Sequence, residues 1–299
     1  MFYRSDILEE LGIAVPATWE EAVIAITELQ KNNLMFGLPQ APPPGIIAPI
    51  QGPTAYTFTL GMFIHQFGGN IYRDDSYHTA LDNEEGIRAF VFLTDLYSNY
   101  KLPIQYDILT RFRIGEMPIA IADYTLYNLL QVGAPEIRGL WDFTMVPGTK
   151  GQDGSINHSV LNGGQACMIL GDTPRPDLAW EFIKWWTSSE GQLQYATEME
   201  NILGPSARVP TANMEAMRNL PWTRRNLELI ERQREWVVGY ENVPGGYFTP
   251  RHIDNAFRRV VIGMEEPRET LLDYVRIINK EIESKALELG ISIDREAVR

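Results

Sequence analysis

Apolar positions recur at helical spacing over long stretches of this chain and form short continuous runs in only a few places. Behind Thr18, the sequence Trp19-Glu20-Glu21 opens a segment in which Ala22, Ile26 and Leu29 fall on one side. A Thr hydroxyl there can meet the amide three residues on while Glu21 reaches back, a capping box that predicts a helix from Trp19 to about Lys31. Asn83 caps a second helix through Ser98, with Ile87, Phe90, Val91, Thr94 and Leu96 in or near its apolar face. Between these, Ala55 to Phe67 is helical and ends at Gly68-Gly69, where a left-handed cap requires glycine. The stretch from Pro39 to Pro53 is a loop, since Ala-Pro-Pro-Pro-Gly sustains neither helix nor ladder. A short helix from Ile108 to Ile114 stops at Gly115, and further helices begin near Leu178, Glu190, Trp222, Arg251 and Pro267.

Three runs read as strands: Met117 to Ala122, Trp141 to Val146 (stopped by Pro147-Gly148), and Gln165 to Leu170 (closed by Gly171-Asp172). The last feeds a helix in which Leu178, Ala179, Phe182, Ile183 and Trp186 recur at helical spacing. Few strands among many helices indicate an α/β fold with helices on the faces of a small sheet. Ligands in such folds sit at strand carboxyl ends, which draws attention to Asp123-Tyr124 and to the Asn162-Gly163-Gly164 loop.

Composition narrows the function classes. With 299 residues, of which 44% are hydrophobic and 11% aromatic, the chain can bury a sizeable core in one large or two ordinary domains. A formal charge of −13 argues against nucleic acid as a partner, because phosphate binding needs a positive surface. The single Cys167 excludes an intramolecular disulfide and multi-cysteine metal sites, and its neighbours Ala166, Met168 and Ile169 predict a buried strand position. No apolar run reaches membrane-spanning length, and the start MFYRSDILEELGI lacks the features of a signal peptide, which taken alone favours the cytoplasm.

Catalytic constellations are missing from the sequence. It contains no Gly-x-Ser-x-Gly elbow, His-Glu-x-x-His pair, P-loop or dinucleotide fingerprint, and its four histidines have no metal-like spacing. No cofactor is expected. A glycan hydrolase would need two facing carboxylates, for which Asp123 with Glu200 or Asp254 stays open.

An ordered series of motifs carries a family resemblance. Phe2-Tyr3-Arg4-x-Asp6 followed by Gly12, Pro16 and Thr18-Trp19-Glu20-Glu21 comes first, then Phe112-x-x-Gly115-Glu116 with Ile119-Ala120-Ile121, then Met145-Val146-Pro147-Gly148. Gly163-Gly164, Ala179-Trp180-Glu181-Phe182 and Val209-Pro210-Thr211 complete it. Together these resemble the extracellular solute-binding proteins of bacterial ABC importers, especially their carbohydrate-binding, maltose-binding-protein-like group. The resemblance implies a helix-rich, type 2 periplasmic-binding-protein-like α/β fold in which two lobes close on a sugar and present it to the permease. It implies an extracellular or surface-anchored parent protein, with residues 1–161 in the second lobe, 162–212 returning to the first, and 213–299 packing near the hinge and second lobe. Members normally begin with a signal peptide and a complete first lobe, so Met1 looks like an artificial start, a shortened reading frame or the beginning of a fragment. On that expectation the chain binds ligand weakly or not at all, and the face carrying Trp180, Trp185 and Trp186 seeks a substitute partner by self-association or repacking.

Sugar sites combine aromatic faces for stacking with planar polar groups for hydroxyl pairs. Asp123, Tyr124 and Tyr127 follow a strand and match the family position where an aromatic packs on sugar; the bland alternative is a helix-capping Asp with two packing tyrosines. Asn162, Gly163 and Gly164 are ligand-contact candidates, since glycines allow close backbone approach and the family hinge passes there, or they form a plain turn. Arg208 could fork onto hydroxyls or sit in a surface ion pair, and Tyr247, Arg251 and His252 could face the cleft or cap and pack a helix. Gln51, Tyr56 and Phe58 are lesser candidates, Asp75 and Asp82 weaker still, and Trp141 reads as core.

Overall fold

The computed structural model describes residues 1–39, 55–74, 77–162 and 166–291. Its amino-terminal part runs β1 (Phe2–Arg4), α1 (Ser5–Leu11), α2 (Trp19–Lys31), β2 (Phe36–Gly37), α3 (Ala55–Gln66), α4 (Glu84–Ser98), α5 (Ile108–Arg113), β3 (Ile119–Ala120), α6 (Leu126–Gly133) and β4 (Trp141–Phe143). The rest comprises β5 (Thr149–Lys150), β6 (Ile156–Asn157), β7 (Val160–Asn162), α7 (Pro176–Thr187), α8 (Ser189–Leu203), α9 (Met214–Asn219), α10 (Arg224–Arg234), β8 (Val237–Gly239), α11 (Thr249–Val261) and α12 (Pro267–Glu288).

Four short strands make the central sheet in the order β2-β3-β1-β4, with β2 parallel to β3 and β1 antiparallel to both its neighbours. Strand side chains alternate between faces, and the alternation sorts the core into two layers. Tyr3, Phe36 and Ile119 join α2, α3, α4, α11 and α12 on one side. Phe2, Ala120, Trp141 and Phe143 join α5, α6 and parts of α8 to α10 on the other. The α2 capping box is present as read, Thr18 accepting from the Glu21 amide, and Ala22, Ile26 and Leu29 are buried. Asn83 likewise caps α4.

The Tyr-Arg-x-Asp turn has a physical reason. Arg4 donates to both carboxylate oxygens of Asp6 at 2.9 and 2.6 Å and to the carbonyls of Phe112 and Arg113, tying β1 to the end of α5 from a buried position. A second buried polar group, Gln66 at the end of α3, accepts from Trp19 Nε1 and Thr149 Oγ1 and donates to the carbonyls of Pro147 and Ser159. All four of its hydrogen-bonding positions are filled, so α2, α3 and the approaches to β5 and β7 are locked at one point.

Two expectations are corrected. Residues 166–170 form no strand, and Cys167 is exposed instead of buried. The physical reason is shared: among the described residues no other strand pairs with this run, so neither its backbone nor its apolar side chains have a sheet to enter. The α7 helix forms where the periodicity places it, yet none of its residues is buried. Among the described residues no helix is long and apolar enough to cross a membrane.

Candidate ligand-binding site

The carboxyl end of β3 delivers Asp123 and Tyr124 to the start of α6, as the strand-to-helix pattern predicts. Asp123 does not serve as the helix cap: Thr125 occupies that position and the cap has no side-chain hydrogen bond. Its carboxylate is exposed, while its carbonyl accepts from the Leu126 amide. Tyr124 is half-buried, its ring 6.0 Å from that of Trp222. Burial pushes the Tyr124 phenol up to about 12, with Arg234 opposing and Asp123 adding to the shift, so it is a neutral hydroxyl throughout the physiological range.

Tyr127, on α6, meets the same indole. Its ring lies 5.5 Å from Trp141, 5.8 Å from Phe143 and 5.3 Å from Trp222, a packing position between the sheet and the helix that follows. Arg208 arrives at the same cluster from the turn Pro205–Ala207, its guanidinium 4.9 Å from the Trp222 ring. It donates twice to Glu200, at 2.8 and 2.7 Å, with both side chains partly withdrawn from water. That hydrogen bonding holds the Glu200 carboxyl below its usual range. The fork is therefore already engaged, and Glu200 is a fixed carboxylate instead of a proton donor. Asn128 Nδ2 donates to the Arg208 carbonyl at 3.4 Å, closing the link between α6 and this turn.

Three residues singled out in the sequence thus converge on Trp222, namely Tyr124, Tyr127 and Arg208, with Asp123 next to Tyr124 in the chain. Trp222 itself had been read only as the start of a helix. The available signal was its place one residue before Thr223, which caps α10, where an aromatic can turn back onto neighbouring elements. Its indole nitrogen is buried without a partner.

Asn162 lies elsewhere. It ends the parallel pair β7–β8, opposite Gly239, and its carbonyl accepts from the Tyr240 amide at 3.2 Å. Gln233 braces the entry to this pair, accepting from the Val146 amide and donating to the His158 carbonyl. Gly163 and Gly164 lie outside the described residues, as do Gln51 and Asp75.

The third group faces α12. Tyr247 is exposed with its ring 4.2 Å from Phe248, and Arg251 sits over Phe248 at 5.8 Å. His252 lies 6.0 Å from Tyr274, its Nδ1 buried without a partner, and burial lowers its affinity for a proton. Tyr56 stacks on Phe257 at 3.9 Å within the core, and Asp82 is held by Arg73. Trp141 is core, as read. Among the described residues no group of acidic, histidine and cysteine side chains could hold a metal ion.

This is the architecture of a periplasmic-binding-protein-like solute receptor, and solved structures share it. The sugar-binding protein MalE from Xanthomonas citri superposes with a TM-score of 0.72 at 16% identity, covering 98% of this chain and 70% of that one. A solute-binding protein from Thermotoga lettingae, bound to α-D-tagatose, gives 0.67 at 21% identity over 94% and 69% of the two chains. One from Agrobacterium radiobacter K84, in complex with ribitol, gives 0.64 at 19% over 93% and 68%. No curated protein sequence matches the chain. The model of the bacterial extracellular solute-binding protein family matches residues 1–193, and the chain belongs to that family. The family and these neighbours are binding proteins, not enzymes.

Proposed function

We propose that this chain binds a mono- or oligosaccharide and serves an ABC importer, with Asp123 and Tyr124 as the contact between protein and sugar. The observation that carries the reading is their pairing at the carboxyl end of β3: an exposed carboxylate next to a half-buried phenol whose ring is backed by Trp222. A carboxylate takes two sugar hydroxyls in its plane, and a braced aromatic offers its face to the apolar side of a pyranose. Tagatose and ribitol in the neighbours support a polyhydroxylated ligand. Tyr127 and Arg208 act behind this pair, holding Trp222 and the turn at Pro205–Ala207 in place.

In this reading residues 1–161 belong to the second lobe, 162–212 return toward the first, and 213–299 pack near the hinge and second lobe. The β7–β8 pair is the crossing point, and Asn162, Gly163 and Gly164 are further ligand-contact candidates. Tyr247, from the turn Gly246–Phe248, and Arg251 and His252, from α11, flank the cleft. The permease is the partner to which the closed form is presented, and the protein works at the outer face of the membrane, anchored there.

Trp222 beside Tyr124 provides the readout. Titrating maltose, tagatose and ribitol should change intrinsic tryptophan fluorescence with at least one of them, and Trp222→Phe should abolish most of that change. Unchanged fluorescence and absent calorimetric heat across the panel, measured on the two-lobed parent protein, would overturn the proposal.

A further inference from the structure

Helix α4 is covered on one face and half-open on another. Phe90, Leu93 and Thr94 are buried, whereas Ile87, Val91 and Phe92 are only half-buried. With Glu84, Arg88 and Asp95, the half-buried residues recur three and four apart, so they form one stripe about 16 Å long on the helix. That stripe lines a groove of about 950 Å³ together with Trp19, Glu20 and Val23 of α2 and Phe67 just past α3. The volume is that of a small-molecule pocket. None of Asp123, Tyr124, Tyr127, Arg208 and Trp222 takes part in it.

The floor is aromatic and held in place. The Phe92 ring lies 6.0 Å from Trp19 and 6.2 Å from Phe67, and the Trp19 indole N–H donates to Gln66 at 3.0 Å. Aromatic faces attract cations, and this floor already carries one: the Arg88 guanidinium sits 4.0 Å above the Phe67 ring. Charge at the rim leans the same way. Glu20, Asp82, Glu84 and Asp95 border the groove against Arg88 and Arg268. Arg73 holds Asp82 through two hydrogen bonds, which leaves three carboxylates against two guanidiniums. Asp95 accepts from Asn99, a neutral donor, and keeps its charge, while Glu20 and Glu84 in the first turns of α2 and α4 are exposed.

We propose that this groove is a second ligand site, for a small organic cation in which an ammonium group carries an apolar or aromatic body. The body packs against Ile87, Val91 and Phe92, and the ammonium is drawn to the aromatic rings and to the Glu20 and Glu84 carboxylates. An anionic ligand of the same shape meets the negative excess, and a neutral one gains from the floor alone. The inference does not rest on the carbohydrate reading, since the groove shares no residue with the Asp123 group.

Titrating benzyltrimethylammonium into the two-lobed parent protein, followed by nitrogen–proton NMR of the tryptophan indoles, decides it. The Trp19 indole signal should shift and saturate. Benzyl alcohol should bind at least about threefold more weakly, for want of the cation–aromatic term, and benzenesulfonate should leave Trp19 unmoved. Glu20→Gln with Glu84→Gln should weaken cation binding about tenfold, the sum of two exposed ion pairs. Both side chains are exposed, so circular dichroism of that variant should match the wild type. Glu9→Gln with Glu10→Gln, exposed on α1 outside the groove, should leave cation binding unchanged. A Trp19 signal that stays still, an equal response to the sulfonate, full affinity in the Glu20/Glu84 variant, or an equal loss in the Glu9/Glu10 variant would each overturn the proposal.

Discussion

Arg208 illustrates how a residue type suited to recognition can be committed to structure. Its guanidinium holds Glu200 through two hydrogen bonds and stacks on Trp222, so it sets the position of the indole that backs Tyr124. Glu200→Gln should destabilise the protein at neutral pH by about 1 kcal/mol, since the pair is only partly buried and water screens it. The pH dependence has a definite sign. Glu200 binds a proton less readily when folded, so the pair stabilises fully above the ordinary carboxyl value of 4.5 and loses that contribution as pH falls through the lowered value. Thermal melts should therefore show the gap between wild type and Glu200→Gln narrowing below that point; a gap constant with pH would refute the assignment. The sequence allowed an ion pair at Arg208 but could not name Glu200, because the partner lies across a helix end and a turn whose geometry comes only from packing.

At the scale of elements, local chemistry was readable where the chain carries its own signals. The Thr18 and Asn83 caps and the glycine after α3 lie within a few residues of the ends they define, and those ends fall as expected. Residues 166–170 failed for the complementary reason. β-propensity describes fitness for a sheet, and a strand forms only if a neighbour is present to pair with it. The contact of α3 with β7 is a close approach that sequence does not disclose: a Cβ added at Gly61 of α3 would lie 2.5 Å from Leu161 Cδ2 in β7. Gly61→Ala should cost about 1–3 kcal/mol by overpacking. Adding Leu161→Ala should recover part of this loss. Denaturant unfolding of the single and double variants checks it, and strictly additive losses would mean that the two side chains do not compete for the same space.

At the scale of the molecule, two core layers enclose a four-stranded sheet, and Asp123 and Tyr124 lie beyond the carboxyl end of β3. The fold class was legible because many helices and few strands admit few architectures, and the order of motifs along the chain was compatible with one family. The proposed site was legible in sequence only in part. Asp123 and Tyr124 could be found from a strand end, whereas Trp222, about a hundred residues later, meets them through tertiary folding alone. Calorimetric titration of the sugar panel into the two-lobed wild-type parent and its Tyr124→Ala variant, with Tyr127→Phe as a packing control, tests the carbohydrate reading most directly. The account predicts saturable heat for wild type and for Tyr127→Phe, and an affinity at least about tenfold lower, the loss of one stacked aromatic contact, for Tyr124→Ala. Wild-type affinity retained by Tyr124→Ala, or no heat from any sugar with the wild type, would contradict it.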